Sequence, residues 1–334
     1  MTVPTPHRVV IALMLGIVGG QFAWFMASHV DVPRDLVQFW YAARVLIHGG
    51  DPYAAIGPGR ALNYPFPLVY PLQTTIAILP FAGLPFAWAC GLFFGLASFA
   101  FAWALMEHGY WPLVAFLSIC FWHAAGAVQW SPLLAASLVI TPLAILLVAK
   151  PTVGLAYFVA RPSWYAVGGA VALTIAAFAL DPQWFPQWRE AVHRALAQAS
   201  GFPYHAPLLM PGGVLVLAAC TRWRRGEARL LVALACIPHT TLPYELLPLF
   251  LIPRGWRQCV ALAGLSNLMW WLTPRSPEFY ATVLAYTRAA VPCMYLPCTL
   301  MLLRRPNEGA LPAWLETRLA MFPAWFRGRA PVSV

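Results

Sequence analysis

Long apolar runs recur from one end of this chain to the other, and no motif constrains the fold as much. Val9–Val30, Phe86–Met106, Trp164–Leu180 and Thr282–Leu303 are four of them. A helix of ~17–22 apolar residues crosses a hydrocarbon layer of ~30 Å with every backbone hydrogen bond made internally. Hydrophobic residues make up 61% of the 334, and only 10% are charged. An ordinary soluble domain carries about 25% charged residues. A soluble core could not hide so much apolar surface, so the reading is an all-α, polytopic integral membrane protein with about 10–12 transmembrane helices. Segments of alternating hydrophobicity near ten residues, which mark a membrane barrel, are absent.

The charges place the ends of these segments. The net charge is +10, yet the arginines cluster where apolar runs stop: Arg8, then Arg222, Arg224 and Arg225, then Arg254 and Arg257, then Arg304 and Arg305. The positive-inside rule accounts for that pattern, and nucleic acid is not needed to explain it. These clusters put both termini inside and two polar loops outside: residues 31–67, and 181–205. Interfacial helices are expected in both. In the first, Asp35–His48 is helical in character and is stopped by Gly49-Gly50. In the second, Trp184, Trp188, Val192 and Leu196 share one helical face. Between Arg225 and Arg254 the chain must enter and return as short or broken helices, because Pro238, Pro243 and Pro248 interrupt it. Residues 304–334 read as a cytoplasmic tail whose part 313–329 is amphipathic and rich in arginine, fitted to an anionic membrane surface. The whole of 1–334 reads as one membrane-embedded domain. The seven cysteines lie in or beside apolar runs without a CxxC pair, so they read as structural thiols.

Few residues in such a chain can carry chemistry. Asp35 stands where the first loop meets its helix. It suits an N-cap, whose carboxylate accepts first-turn amide hydrogens, and it equally suits a general base held at the water–lipid boundary. Asp51 is most simply a turn residue. Lys150 is the only lysine and falls within the apolar zone, where an ionisable group is a functional candidate by default; the alternative is a lysine snorkelling from a helix end. His239, Tyr244 and Glu245 flank a proline-broken helix, an arrangement tolerated at membrane depth where it lines a cavity. Arg189 and Arg194 in the second loop are further cations. No set of His, Asp or Glu has metal-ligand spacing.

Four stretches together resemble a known family: Asp35–Leu46 (DLVQFWYAARVL), Gly49–Tyr53 (GGDPY), Tyr64–Pro67 (YPFP) and Leu79–Pro85 (LPFAGLP). They are similar to the membrane glycosyltransferases of the GT-C superfamily that use polyprenyl-phosphate sugars, in particular the mannosyltransferase-like GT87 group. The likeness is fullest over residues 1–90. Further on, Gln129 stands where the family has a Gly-Gln pair, with Val128 in place of the glycine, and Lys150-Pro151 matches a Lys-Pro step. The resemblance implies transfer of a hexose, plausibly mannose, from a polyprenyl-phosphate donor to a glycan or glycolipid acceptor. The transfer would occur at the outer face of a bacterial inner membrane. It implies Asp35 as the catalytic base, Lys150, Arg189 or Arg194 at the donor phosphate, and Tyr64, Gln129, His239, Tyr244 and Glu245 lining the cavity. No cofactor is expected; a divalent cation at Asp31 and Asp35 is the family's alternative, not the expectation. Two rival readings are a transporter or lipid flippase, and a non-catalytic GT-C-like protein that binds lipid or a partner.

Overall fold

A computed structural model of the chain describes residues 3–31, 34–198, 205–309, 311, 316–317 and 321. Most of them are helical. The strand content among the described residues is a parallel pairing of two two-residue strands, β1 (Ile56–Gly57) and β2 (Leu62–Asn63), inside the first polar loop.

The first apolar run forms α1 (Thr5–His29). The loop helix follows as α2 (Leu36–Ile47), then a single turn, α3 (Pro52–Ala55). Asp51 caps that turn, its Oδ1 accepting from the amides of Tyr53 at 2.7 Å and Ala54 at 3.2 Å. The chain then runs extended to Pro71 and enters α4 (Leu72–Ile78), shorter than the span over 67–84 that the apolar pattern suggests. After Pro85 comes α5 (Phe86–Leu105). The stretch 111–160 is broken more finely than its hydropathy. It holds a 3₁₀ segment (Trp111–Leu117), α6 (Ile119–Ala127), α7 (Ser131–Ser137), a second 3₁₀ segment (Thr141–Ala149) and α8 (Pro151–Ala160). The prolines explain the breaks: each of Pro112, Pro132, Pro142 and Pro151 opens a new element, where its missing N–H costs nothing.

Next come α9 (Trp164–Leu180) and α10 (Trp184–Gln198), which meet at 98°. An apolar rod thus ends in an amphipathic helix lying across it. A 3₁₀ segment (Gly213–Arg222) leads into α11 (Gly226–Cys236). The chain is then extended and re-forms as a 3₁₀ segment over Pro243–Leu251. This is the broken passage expected between the two arginine clusters. The chain closes with α12 (Trp256–Leu272), α13 (Phe279–Ala290), one π-helical turn (Val291–Tyr295) that absorbs Pro292, and α14 (Leu296–Leu303). The amphipathic tail expected over 313–329 lies outside the described residues apart from Glu316, Thr317 and Met321.

Two described helices, Thr5–His29 and the rod from Phe86 to His108, are long and apolar enough to cross a membrane, and a third is if α9 and α10 count as one bent span. Their outward faces are apolar: Leu13, Met14 and Ile17 on α1 are at least half exposed, as are Val171 and Ile175 on α9. Water would not favour such surfaces at this density, whereas lipid tails do. α1 and α5 pack together through glycines. A Cβ on Gly20 would lie 2.7 Å from the carbonyl oxygen of Gly91, and one on Gly16 would lie 3.0 Å from that of Gly95. Small residues at such a crossing let two backbones approach, which is how helices associate where the surrounding medium is itself apolar.

Candidate functional site

Asp35 was open to a capping role, and the structure gives its carboxylate other partners. No side-chain cap bond is made. The residue has helical backbone angles, φ −62° and ψ −28°, whereas a capping residue is extended and turns its side chain onto the first-turn amides. The half-buried carboxylate instead accepts from the Tyr64 hydroxyl at 3.0 Å and from the side-chain amide of Gln129. The loop helix therefore supplies the acid, the extended stretch before α4 supplies Tyr64, and the turn after α6 supplies Gln129.

Gln129 passes the contact inward. Its Oε1 accepts from Lys150 Nζ at 3.3 Å, and Lys150 also donates to Glu245 in a buried ion pair. Lys150 reaches this position because the next residue is proline. A residue before proline is pushed out of the helical region, and Lys150 sits at φ −133°, ψ 75°, as the residue from which α8 starts. Thr74 fixes the same corner by donating to the Ala149 carbonyl at 2.5 Å. Glu245 comes from the 3₁₀ segment Pro243–Leu251, whose first turn aims it at Lys150. The result is a continuous polar thread, Tyr64–Asp35–Gln129–Lys150–Glu245, drawn from five separate stretches of chain.

A row of rings flanks the inner end. Lys150 Nζ lies 5.2 Å from the centre of the Tyr244 ring, and His123 stacks on Tyr244 with centroids 5.3 Å apart. Trp270 meets His123 edge-on at 5.3 Å, and the exposed Arg275 guanidinium sits 4.2 Å over Trp270. The row thus runs from a buried cation to a surface one. Close to Arg275 in sequence, Phe279 and Tyr280 touch Phe66 at 5.1 and 6.0 Å, and Phe66 touches Tyr64 at 6.5 Å. The 273–280 stretch and the first polar loop therefore border one another beside Asp35.

Of the residues singled out in the sequence, Tyr64, Gln129, Lys150, Tyr244 and Glu245 converge with Asp35. His239 is buried beside the thread, within the electrostatic reach of Glu245 and Lys150, and bonds its own loop at Ile237 O, 2.8 Å away. The two second-loop arginines are not brought to the cluster. Arg189 is exposed, and Arg194 donates to the Tyr53 carbonyl at 3.3 Å, tying α10 to α3. α10 is amphipathic, and its arginines lie on the polar side, Arg189 in solvent and Arg194 against α3, which leaves both outside the cluster. Sequence reasoning missed Arg34, buried next to Asp35 in the chain, Tyr70, within electrostatic reach of Asp35, Lys150 and Glu245, Arg275, and the stacked role of His123. For Arg34 a signal existed: an arginine adjoining the candidate base, at the mouth of an apolar helix. For the others no local pattern distinguishes them from interfacial aromatics and cations.

No family model, curated protein or solved structure matches the chain. The functional reading rests on the site itself and on the motif resemblance. Among the described residues, no three of His, Cys, Asp and Glu are grouped to hold one metal ion, and all seven cysteines are free thiols.

Proposed function

We propose that the chain is a polytopic membrane glycosyltransferase of GT-C type. It would move a hexose from a polyprenyl-phosphate donor to an acceptor hydroxyl at the extracytoplasmic face. The observation that carries this reading is Asp35: a half-buried carboxylate at the start of an interfacial helix, oriented by Tyr64 and Gln129 and backed by the Lys150–Glu245 pair. A general base needs a fixed position and a partly desolvated setting, and it has both.

In this reading the acceptor hydroxyl gives its proton to Asp35 while its oxygen bonds to the anomeric carbon. The bond from that carbon to the phosphate oxygen breaks, polyprenyl phosphate leaves with the electron pair, and the configuration inverts. The leaving phosphate requires cations. Lys150 is largely neutralised by Glu245, so its part is to hold Gln129, and through it Asp35, in place. Arg275 is the better candidate for the phosphate. It is exposed beside the first loop, and no carboxylate among the described residues lies within ion-pair distance of it. It takes the part that the resemblance gave to Lys150, Arg189 or Arg194.

The direct test supplies membranes with labelled polyprenyl-phosphate hexose. Asp35→Asn keeps the shape and removes the base; transfer is expected to fall by about 10²–10⁴, the usual contribution of general base catalysis. Undiminished transfer would remove Asp35 from the mechanism. The buried ion pair and the broken passage 226–251 also suit a carrier. Solute or proton flux through reconstituted vesicles, without sugar transfer, would favour that second reading.

A further inference from the structure

Asp35 is held from behind by its neighbour in sequence. Arg34 is buried, only 5% exposed, and its guanidinium donates to three main-chain carbonyls. Nη1 reaches Gly126 O at 2.9 Å; Nη2 reaches Met26 O at 2.9 Å and Val30 O at 3.2 Å. Met26 and Val30 belong to the C-terminal end of α1, and Gly126 to the last turn of α6. Met26 O already accepts from Val30 N at 3.2 Å and takes the guanidinium as a second donor; carbonyls at helix ends carry partial negative charge, so a guanidinium among them is well matched. Arginine also stays charged when buried.

The link to α6 is repeated one residue later. Asp35 N donates to Ala127 O at 3.1 Å. Two consecutive residues therefore bind two consecutive residues of α6. Immediately after, Val128 adopts φ 54°, ψ 59°. It is the one non-glycine residue with positive φ among those described, and for a β-branched side chain that conformation is strained. The left-handed step folds the chain back so that Gln129 N bonds Ala124 O at 2.9 Å, and the Gln129 side chain then faces Asp35. The circuit closes: 34 to 126, 35 to 127, 129 to 35.

We propose that Arg34 is the positioning residue of Asp35: by clamping the end of α6 against the end of α1 it fixes where the carboxylate stands relative to Gln129 and Tyr64. A mere cap of α1 would stabilise that helix and leave the carboxylate's behaviour alone. The strained step at Val128 argues for more than a cap, because such conformations persist only where the surroundings over-determine them. The kinetic consequence rests on the reading of Asp35 as a base; the clamp itself does not.

The experiment uses the full chain in nanodiscs and follows reaction of Asp35 with dicyclohexylcarbodiimide against pH, read by peptide mass spectrometry with Asp51 as internal reference. Asp35 is faced by Tyr64 and Tyr70 from the extended stretch before α4, by Lys150 ahead of α8, and by Glu245; all four are retained in every variant. In Arg34→Gln the carboxylate is released toward water, and the labelling midpoint of Asp35 is expected to fall by about half a pH unit or more, with Asp51 unmoved. Sugar transfer is expected to lose about tenfold in kcat with KM little changed, since the loss is one of orientation. Arg34→Lys should recover part of both. An unmoved Asp35 midpoint alongside a lowered melting temperature would reduce Arg34 to a helix cap and overturn the proposal. Should Arg34→Gln fail to fold, hydrogen exchange on the unmodified protein decides. The amides of Asp35 and Gln129 must exchange as slowly as those inside α2; exchange at loop rates overturns the clamp. Absence of transfer in the unmodified protein with the labelling shift intact would sink the glycosyltransferase reading and leave the clamp standing.

Discussion

At the scale of single residues, Asp35 and the Lys150–Glu245 pair set the terms. Burial pushes the Asp35 carboxyl above the ordinary carboxylate range; the Tyr64 hydrogen bond and the charge of Lys150 oppose this, and the charge of Glu245 adds to it. A base must be ionised to act. Transfer should therefore rise with pH through a midpoint above the unperturbed aspartate value of ~3.9. A pH–rate profile with its acidic limb at or below that value would contradict the assignment. The sign for stability is the reverse. Because the folded pKa is raised, Asp35 binds its proton more tightly in the fold than in the unfolded chain, and stability falls as pH rises from the ordinary value through the raised one. The ion pair makes a second prediction. Removing one partner leaves a buried, uncompensated charge, so Lys150→Met should cost about 3–5 kcal/mol, whereas Lys150→Met with Glu245→Leu should recover most of that stability. Melting curves in detergent give the comparison. A double variant as unstable as the single one would show that the pair does more than neutralise itself.

At the scale of elements, the crossing of α1 with α5 carries the packing that puts the first loop in place. Gly20 approaches Gly91 so closely that an added Cβ would meet a carbonyl oxygen at 2.7 Å, while Gly83, in the turn before α5, has open space around it. Gly20→Val should therefore destabilise the protein by about 1–3 kcal/mol, as overpacking of a tight contact does. Gly83→Ala should change stability by no more than about half a kcal/mol. Equal shifts in melting temperature would rule out close backbone packing as the basis of this pair. The 3₁₀ segments have a physical consequence too. At ~2.0 Å of rise per residue, a nine-residue stretch such as Pro243–Leu251 extends only ~18 Å.

At the scale of the whole molecule, charge divides the chain into two ends. Arg8 pairs with Glu107 at 3.1 Å, joining the start of α1 to the end of the α5 rod. Arg224 pairs with Glu316 at 2.7 Å, and Arg254 with Glu227 at 2.5 Å. Asp35 and Asp51 lie past the opposite end of α1. If the basic end is cytoplasmic, a cysteine at Ala61, an exposed position in the first loop, should react with a membrane-impermeant maleimide applied to intact cells, above the labelling of the native cysteines. A cysteine at Arg304 should react only after permeabilisation. The opposite pattern would invert the topology and remove the site from the outer face.

The sequence by itself determined the helices that are long, apolar and cleanly punctuated. α1, α5 and α9 fall where the hydropathy runs fall, α2 follows Asp35 and stops at the glycine pair, and α10 lies where the tryptophans align. These signals are local: period, proline and glycine act on their own few residues. The sequence divides 111–160 at Gln129–Pro132 and at Lys150-Pro151, but it does not separate the 3₁₀ segments Trp111–Leu117 and Thr141–Ala149 from their neighbours, because hydropathy does not register the tighter turns. Only the tertiary structure decided what Asp35 is bonded to, since a cap and a base call for the same residue at the same place. It also decided that Gln129, 94 residues from Asp35, meets it, and that Lys150 meets Glu245 across 95 residues. It left the second-loop arginines outside the cluster and drew Arg34 and Arg275 toward it. Polar partners buried among apolar helices have no period to read. Each must find a complement because an unpaired charge in that setting is too costly, and which complement it finds depends on how the helices pack.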